Sequence, residues 1–147
     1  MIDGIKKLRD QTGLSVADIR RALEEAGGDE KKALEILDSR GHEIAEKKSS
    51  RRALEGVVES YIHANRKVGA SLVLHCETDF VAKSSDFLEL AHDLAMQIAS
   101  MDPKDVEELL SQSFIKDQNL TVKELIEKYI AKLGENIKIG GFSRFNV

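Results

Sequence analysis

Histidine, cysteine and carboxylates fall together once in this chain, in the run His75-Cys76-Glu77-Thr78-Asp79. A cysteine beside a histidine suggests a nucleophilic thiolate, which needs the imidazole within hydrogen-bond reach of the sulfur. The residues leading into the run alternate, with Ala70, Leu72, Leu74 and Cys76 on one face and Ser71, Val73, His75 and Glu77 on the other. Neighbours on a strand point to opposite faces, so His75 and Cys76 cannot form that pair. Cys76 reads as a small buried hydrophobe, and His75 as a solvated or partner-facing side chain. A metal site would need His75, Glu77 and Asp79 on one continuing strand face. His42, His63 and His92 are scattered without ligand spacing. No glycine-rich dinucleotide loop, phosphate loop or nucleophile elbow is present. The expectation is a protein that is not an enzyme, with no catalytic residue, metal or cofactor.

Directly behind Asp79 stands Phe80, where the alternating pattern gives way to a helical one. Turns at such junctions usually carry small polar residues. From the residues alone, Phe80 is either core or helix-cap packing under Phe87 and Leu90, or an outward-facing contact for another molecule. Exposure decides between the two.

The elements around this junction are legible from period and punctuation. In the first 40 residues, Ile5 and Leu8 edge a first helix that Thr12-Gly13 ends. Ser15 caps a second, with Asp18 three residues on and Val16, Ile19 and Leu23 at helical spacing. Gly27-Gly28 stop it, and Asp29 caps a third helix that turns Ala33, Ile36 and Leu37 inward. Residues 41–55 read as a fourth helix fraying into a linker. The pattern then changes to strands over 56–63 and 68–77, joined by a hairpin loop at Ala64-Asn65-Arg66-Lys67. Phe87, Leu90, Ala91, Leu94, Ile98 and Met101 trace a helix, and Asp102-Pro103 is expected to cap and open another. A polar, irregular stretch runs through Asn119. Thr121 and Glu124 form a capping box ahead of a stripe of Val122, Leu125, Ile126, Tyr129, Ile130 and Leu133, ended by Gly134. Ile137, Ile139 and Phe145 suggest a third strand. The expected fold is α+β: a three-helix bundle over 1–40, a helix or linker over 41–55, and over 56–147 a small three-stranded antiparallel sheet packed with helices.

Composition narrows the function classes. A third of the 147 residues are charged, no apolar run approaches a membrane span, and one cysteine permits no internal disulfide. No secretory or transit signal is evident at the N-terminus. Residues 1–55 balance 12 basic against 12 acidic side chains, and residues 56–147 account for the net charge of −4. The one basic cluster, Lys47-Lys48-Ser49-Ser50-Arg51-Arg52, has no interleaved aromatics for base stacking and reads as a solvated linker. No direct contact with nucleic acid or membrane is expected.

The opening LRDQTGLSVADIRRALEEAGGDEKKALEIL resembles the ubiquitin-associated-like domain that begins the translation elongation factor Ts family. HCETDFVAK resembles the most distinctive signature of that family, and LGENIKI a further one. The resemblance runs through the whole chain in the family's order. It implies a guanine nucleotide exchange factor for elongation factor Tu in a bacterial cytoplasm. It also implies partner-contacting roles for particular residues. Asp79 and Phe80, within Thr78-Asp79-Phe80-Val81, match the family's intruding pair, whose phenylalanine wedges between helices of the GTPase near its magnesium and phosphate site. Leu133 and Gly134 match a second contact, and Val16 and Ala17 match the part of the bundle that docks on an outlying helix of the GTPase. Longer family members carry two core subdomains and this chain shows one, so a homodimer through the sheet is expected. The competing reading is an interaction module of ubiquitin-associated type, without exchange activity, in which TDFV is core filling.

Overall fold

The computed structural model describes residues 1–147. Helices α1 (Ile2–Thr12), α2 (Val16–Glu25) and α3 (Glu30–Lys48) open the chain. Their starts follow from local chemistry. The Ser15 hydroxyl accepts the Asp18 N–H, and the Asp29 carboxylate accepts the N–H groups of Lys31 and Lys32. Leu8, Ile19, Ala22, Leu23, Ala33 and Leu37 form the small core of this bundle. Residues 41–48 are not a separate fourth helix. They are the second half of α3, which continues through Gly41 because that glycine sits against the Ala131 methyl and lets two helices approach closely.

Strands β1 (Glu55–Ile62) and β2 (Val68–Cys76) form the expected hairpin, and β5 (Lys138–Asn146) joins the other edge of β2, giving the antiparallel order β1-β2-β5. Opposite Val73 and Leu74 the β2–β5 register slips by one residue at Gly140. A Cβ there would fall 2.6 Å from the His75 ring nitrogen, so a side chain would collide with it. Between β2 and β5 lie α4 (Asp79–Ala82), α5 (Ser85–Met101), α6 (Val106–Ser111), the short pair β3 (Ser113–Phe114) and β4 (Asp117–Thr121), and α7 (Val122–Leu133). Helix α5 lays Phe87, Leu90, Leu94 and Ile98, all fully buried, against the Leu72 and Leu74 face of the sheet.

Two local expectations change. Asp102 ends α5 in the left-handed conformation, so it is not the cap of a following helix; Pro103 is buried, and Asp105 caps α6 through the Glu108 N–H. The polar stretch before Asn119 is not irregular, since β3 and β4 pair as a second, two-stranded sheet. Side chains of α5 hold that hairpin in place. The buried Gln97 amide donates to the Ser113 carbonyl (3.0 Å) and accepts the Ile115 N–H (2.9 Å). Lys116 pairs with buried Asp93 at 2.8 Å. The Thr121–Glu124 capping box is present as expected.

Helix α3 ties the bundle to the core. Both ring nitrogens of His42 face carboxylates: Nδ1 meets Glu127 on α7, and Nε2 lies 3.3 Å from Glu46. Carboxylates only accept, so this arrangement favours the doubly protonated imidazolium. The hydrogen bond and charge of Glu127 raise the His42 pKa above its ordinary 6.5. A raised folded-state pKa contributes stability that is fully present below 6.5 and fades as pH rises through the folded value. The melting temperature of the wild type relative to His42→Gln is therefore expected to show its largest excess near pH 5.5 and to lose it by pH 9. A difference independent of pH would refute the ion pair.

Candidate functional site

Strand β2 ends at Cys76, and the chain turns at once into α4. The Thr78 hydroxyl caps this single turn by accepting the Val81 N–H at 3.3 Å. One helical turn in that orientation divides its residues. Val81 and Ala82 are buried against the core, while Asp79 and Phe80 face out. Phe80 is 81% exposed, far from the burial under Phe87 and Leu90 that core filling requires. Asp79 is also solvated, with the Lys83 ammonium 3.5 Å away. The turn is closed behind by a second cap, in which the Ser84 hydroxyl donates to the Val81 carbonyl and accepts the Phe87 N–H.

A hydrogen-bonded clamp joins this turn to the end of α7. Gly134 terminates that helix at φ 77°, a conformation that favours glycine, and sends the chain off the helix axis. The next residue, Glu135, reaches back. Its Oε1 accepts the Glu77 and Thr78 N–H groups, both at 3.0 Å, and its Oε2 accepts the Thr78 hydroxyl at 2.7 Å. The bonding is reciprocal, because Glu77 Oε2 accepts the Asn136 N–H at 3.0 Å. The Asn136 side chain, itself buried, donates to the Arg51 carbonyl at 2.8 Å, and Lys48 at the end of α3 donates to the Gly134 carbonyl at 2.8 Å. The last of these supplies a cation to the C-terminus of α7, where orphan carbonyls and the helix dipole favour one.

The structure thus brings together two of the three groups singled out from sequence, Thr78–Val81 and Leu133–Gly134. Leu133 is half-buried and Gly134 exposed. The third group, Val16 and Ala17, occupies the first turn of α2. Val16 is 43% exposed and Ala17 is exposed, and no hydrogen bond or ion pair links them to the other two. Glu135 escaped sequence reasoning, although it lies inside the LGENIKI motif. Its one sequence signal is an acid directly after a helix-ending glycine. The two main clefts, about 430 and 730 Å³, run along α7 and include none of residues 78–81. Phe80 is an exposed ring outside both clefts, which suits contact with another macromolecule better than capture of a small one.

His75 and Cys76 point to opposite faces. The His75 ring donates from Nδ1 to the Glu55 carbonyl at 3.1 Å, and the buried Cys76 thiol donates to the Thr78 carbonyl at 3.2 Å. Burial foremost, with the negative charge of Glu135 next, pushes the Cys76 pKa up to about 11. The thiolate that nucleophilic chemistry requires is therefore suppressed near neutral pH.

Known proteins resemble this chain over nearly its whole length. Residues 77–147 match the family model described as Elongation factor TS. A relative from Thermotoga petrophila named Elongation factor Ts is 38% identical, with 99% of this chain aligned to 95% of that protein. The aligned span of 189 positions exceeds the 147 residues of the chain, so that relative carries residues with no counterpart here. A relative of the same name from Carboxydothermus hydrogenoformans is 39% identical, with 97% of this chain aligned to 87% of it. Against the one from Clostridium novyi identity is 43%, and the chain spans about half, 47%, of that longer protein. With near end-to-end similarity to a relative of comparable extent, and with ETDFVAK and LGENI clamped at one surface, the chain belongs to the elongation factor Ts family.

Proposed function

We propose that this chain is a translation elongation factor that releases GDP from elongation factor Tu by inserting Phe80 near the magnesium and phosphate site of the GTPase. The carrying observation is an aromatic ring 81% exposed on a turn that is capped at both ends and clamped from behind. Asp79 stands beside the ring as the polar partner of the intrusion. Leu133 and Gly134 supply the adjoining contact, and Val16 and Ala17 a separate docking point on the bundle.

No bond needs to be made or broken. A nucleotide diphosphate is held by its metal and by backbone donors around its phosphates. A partner that binds well only when that region is distorted weakens GDP by the factor by which GDP weakens the partner. Burying one phenylalanine supplies roughly 1.5–3 kcal/mol. At about 1.4 kcal/mol per tenfold, that is about a tenfold to hundredfold change in affinity. The exchange factor raises the rate of GDP release and leaves the final GDP/GTP equilibrium unchanged.

The open face of the sheet supports pairing of two copies. Strand partners share a face, so Val58, Val73 and Gly141 form one row, Ser60, Ser71 and Ser143 the next, and Ile62, Gly69 and Phe145 a third. These rows hold no charged residue in a chain that is one-third charged. Val58, Ile62 and Phe145 are 75%, 65% and 74% exposed. An exposed face with three uncharged rows, ending in the row Gly56, His75 and Lys138 and bordered by two unpaired edges, is a surface that proteins usually cover. We assign it to a second copy of the chain, giving a complex of two exchange factors with two GTPases.

Two experiments test these readings. Release of labelled GDP from elongation factor Tu is expected to accelerate strongly on adding the wild type. The acceleration should fall about tenfold to a hundredfold with Phe80→Ala and less with Asp79→Ala. Intact exchange by Phe80→Ala would sink the wedge even with the family assignment standing. For the pairing, light scattering at micromolar concentration is expected to give twice the chain mass of 16.3 kDa, reverting to the single mass with Val58→Lys. An active wild-type monomer at that concentration would overturn it.

A further inference from the structure

A four-residue helix cannot hold its own shape, because nucleating a turn fixes several dihedrals for very few hydrogen bonds. Helix α4 has that problem. Its own backbone offers the bonds from Ala82 N–H to the Thr78 carbonyl (3.2 Å) and from Lys83 N–H to the Asp79 carbonyl (3.1 Å). The turn that carries Phe80 must therefore be fixed from outside, and the external group with most hold on it is the Glu135 carboxylate.

We propose that Glu135 is the positioning residue of this surface: it sets the direction in which Phe80 points by fixing the Thr78 turn, without itself meeting the GTPase or its nucleotide. The functional half of this inference rests on the exchange reading above. The mechanical half is a property of the free chain. Three donors converge on the carboxylate, two from the backbone at the end of β2 and one from the Thr78 hydroxyl. The hydroxyl bond does more than add affinity. A threonine hydroxyl has one hydrogen and two lone pairs. With its hydrogen committed to Glu135, its lone pairs are left for the Val81 N–H, the bond that caps α4. The polarity runs from Val81 through Thr78 to the carboxylate, so each bond orients the next and the negative end anchors the chain. Remove the carboxylate and the hydroxyl loses its anchor, two strand-end N–H groups lose their acceptor, and the Asn136 N–H to Glu77 bond is left as the one hydrogen bond of the clamp between the two segments.

The same clamp explains why the Phe80 turn and Leu133–Gly134 form one surface. Gly134 adopts the left-handed cap that turns Glu135 toward β2, and Asn136 returns a hydrogen bond to Glu77. A wedge gains affinity only to the extent that its direction is settled before binding, since ordering it on contact subtracts from the interaction.

The test is a double-mutant cycle on the affinity for nucleotide-free elongation factor Tu, using the full chain carrying Glu135→Ala, Phe80→Ala or both. Glu135→Ala is expected to weaken binding about tenfold when Phe80 is present, as loss of charge-assisted hydrogen bonds should. In the Phe80→Ala background the loss should be under about twofold, because the residue acts through that ring. Glu135→Gln keeps a carbonyl for the two N–H groups but loses the charge and faces the Thr78 hydroxyl with an NH2 donor, so it is expected to restore only part of the affinity. Equal losses in both backgrounds, or no loss in either, would overturn the proposal. The mechanical half is read separately by amide hydrogen exchange in the free chain. Protection should fall at Glu77, Thr78 and Val81 in Glu135→Ala while the α5 core keeps its own. A fall throughout the chain, or none at the turn, would refute the clamp. If the wild type fails to bind the GTPase, the exchange reading falls while the amide measurement still decides the clamp.

Discussion

Two carboxylates 58 residues apart in the clamp divide the work of joining the Phe80 turn to the end of α7. Glu135 accepts hydrogen bonds from the end of β2, and Glu77 accepts one from the chain beyond α7. Everything proposed for this surface depends on that exchange. A hydrogen bond in water replaces one to solvent and contributes modestly, whereas a carboxylate gathering several donors at a half-buried site contributes more. The clamp also restricts the unfolded alternatives of a turn too short to persist alone. On the proposed function, an exposed aromatic ring that waits in the binding-competent direction needs such a constraint, because its own burial would come only with the partner.

Exposure of Phe80 has a cost that the remainder of the fold absorbs. A solvent-facing phenylalanine contributes nothing to folding, so the stability of the core subdomain must come from elsewhere. Phe87, Leu90, Leu94 and Ile98 on α5, set against Leu72 and Leu74, supply a fully buried layer directly behind the turn. Val81 and Ala82 connect the turn to that layer, so the outward and inward halves of one helical turn serve opposite purposes. The division arises from helical geometry: four consecutive residues cover a whole turn, and the fold buries only half of it.

Local chemistry was legible in the sequence and long-range polar chemistry was not. The caps at Ser15, Asp29 and Thr121 are short-range bonds between residues two or three apart, so spacing alone reveals them. The β1–β2 hairpin announces itself by alternation. Residues 41–48 belong to α3 although helix propensity counts the missing side chain of Gly41 as a cost, because that measure ignores the approach of α7 that makes the absence useful. The β3–β4 pair was missed because its residues are polar and its fixtures, Gln97 and Asp93, lie on α5. At Asp102-Pro103 an acid before proline satisfies the rule for a helix start, yet the preceding helix claims Asp102 as its left-handed end. The exposure of Phe80 could not be read from pattern, since a strand-to-helix junction accommodates a ring on either side. Glu135 is the clearest limit. Side-chain-to-backbone bonds across the fold leave no periodic trace.

Continuity of α3 changes how the three contact groups relate. Read as two helices and a linker, the bundle bearing Val16 and Ala17 would hang from the core on a flexible joint. Read as one 19-residue helix, the joint disappears, and the far end of α3 places Lys48 on the Gly134 carbonyl. The His42–Glu127 pair and the approach of Gly41 to Ala131 fix the helix midway along α7. A rigid helix transmits position, since it has no soft internal dihedral in which a displacement can be lost. The first turn of α2, with Val16 and Ala17, and the Phe80 turn are then joined through a continuous helix. Two contacts held apart by a stiff element bind with less loss of freedom than two joined by a flexible chain. On the proposed function, a bundle seated first on an outlying part of the GTPase would bring Phe80 to the nucleotide site already aimed.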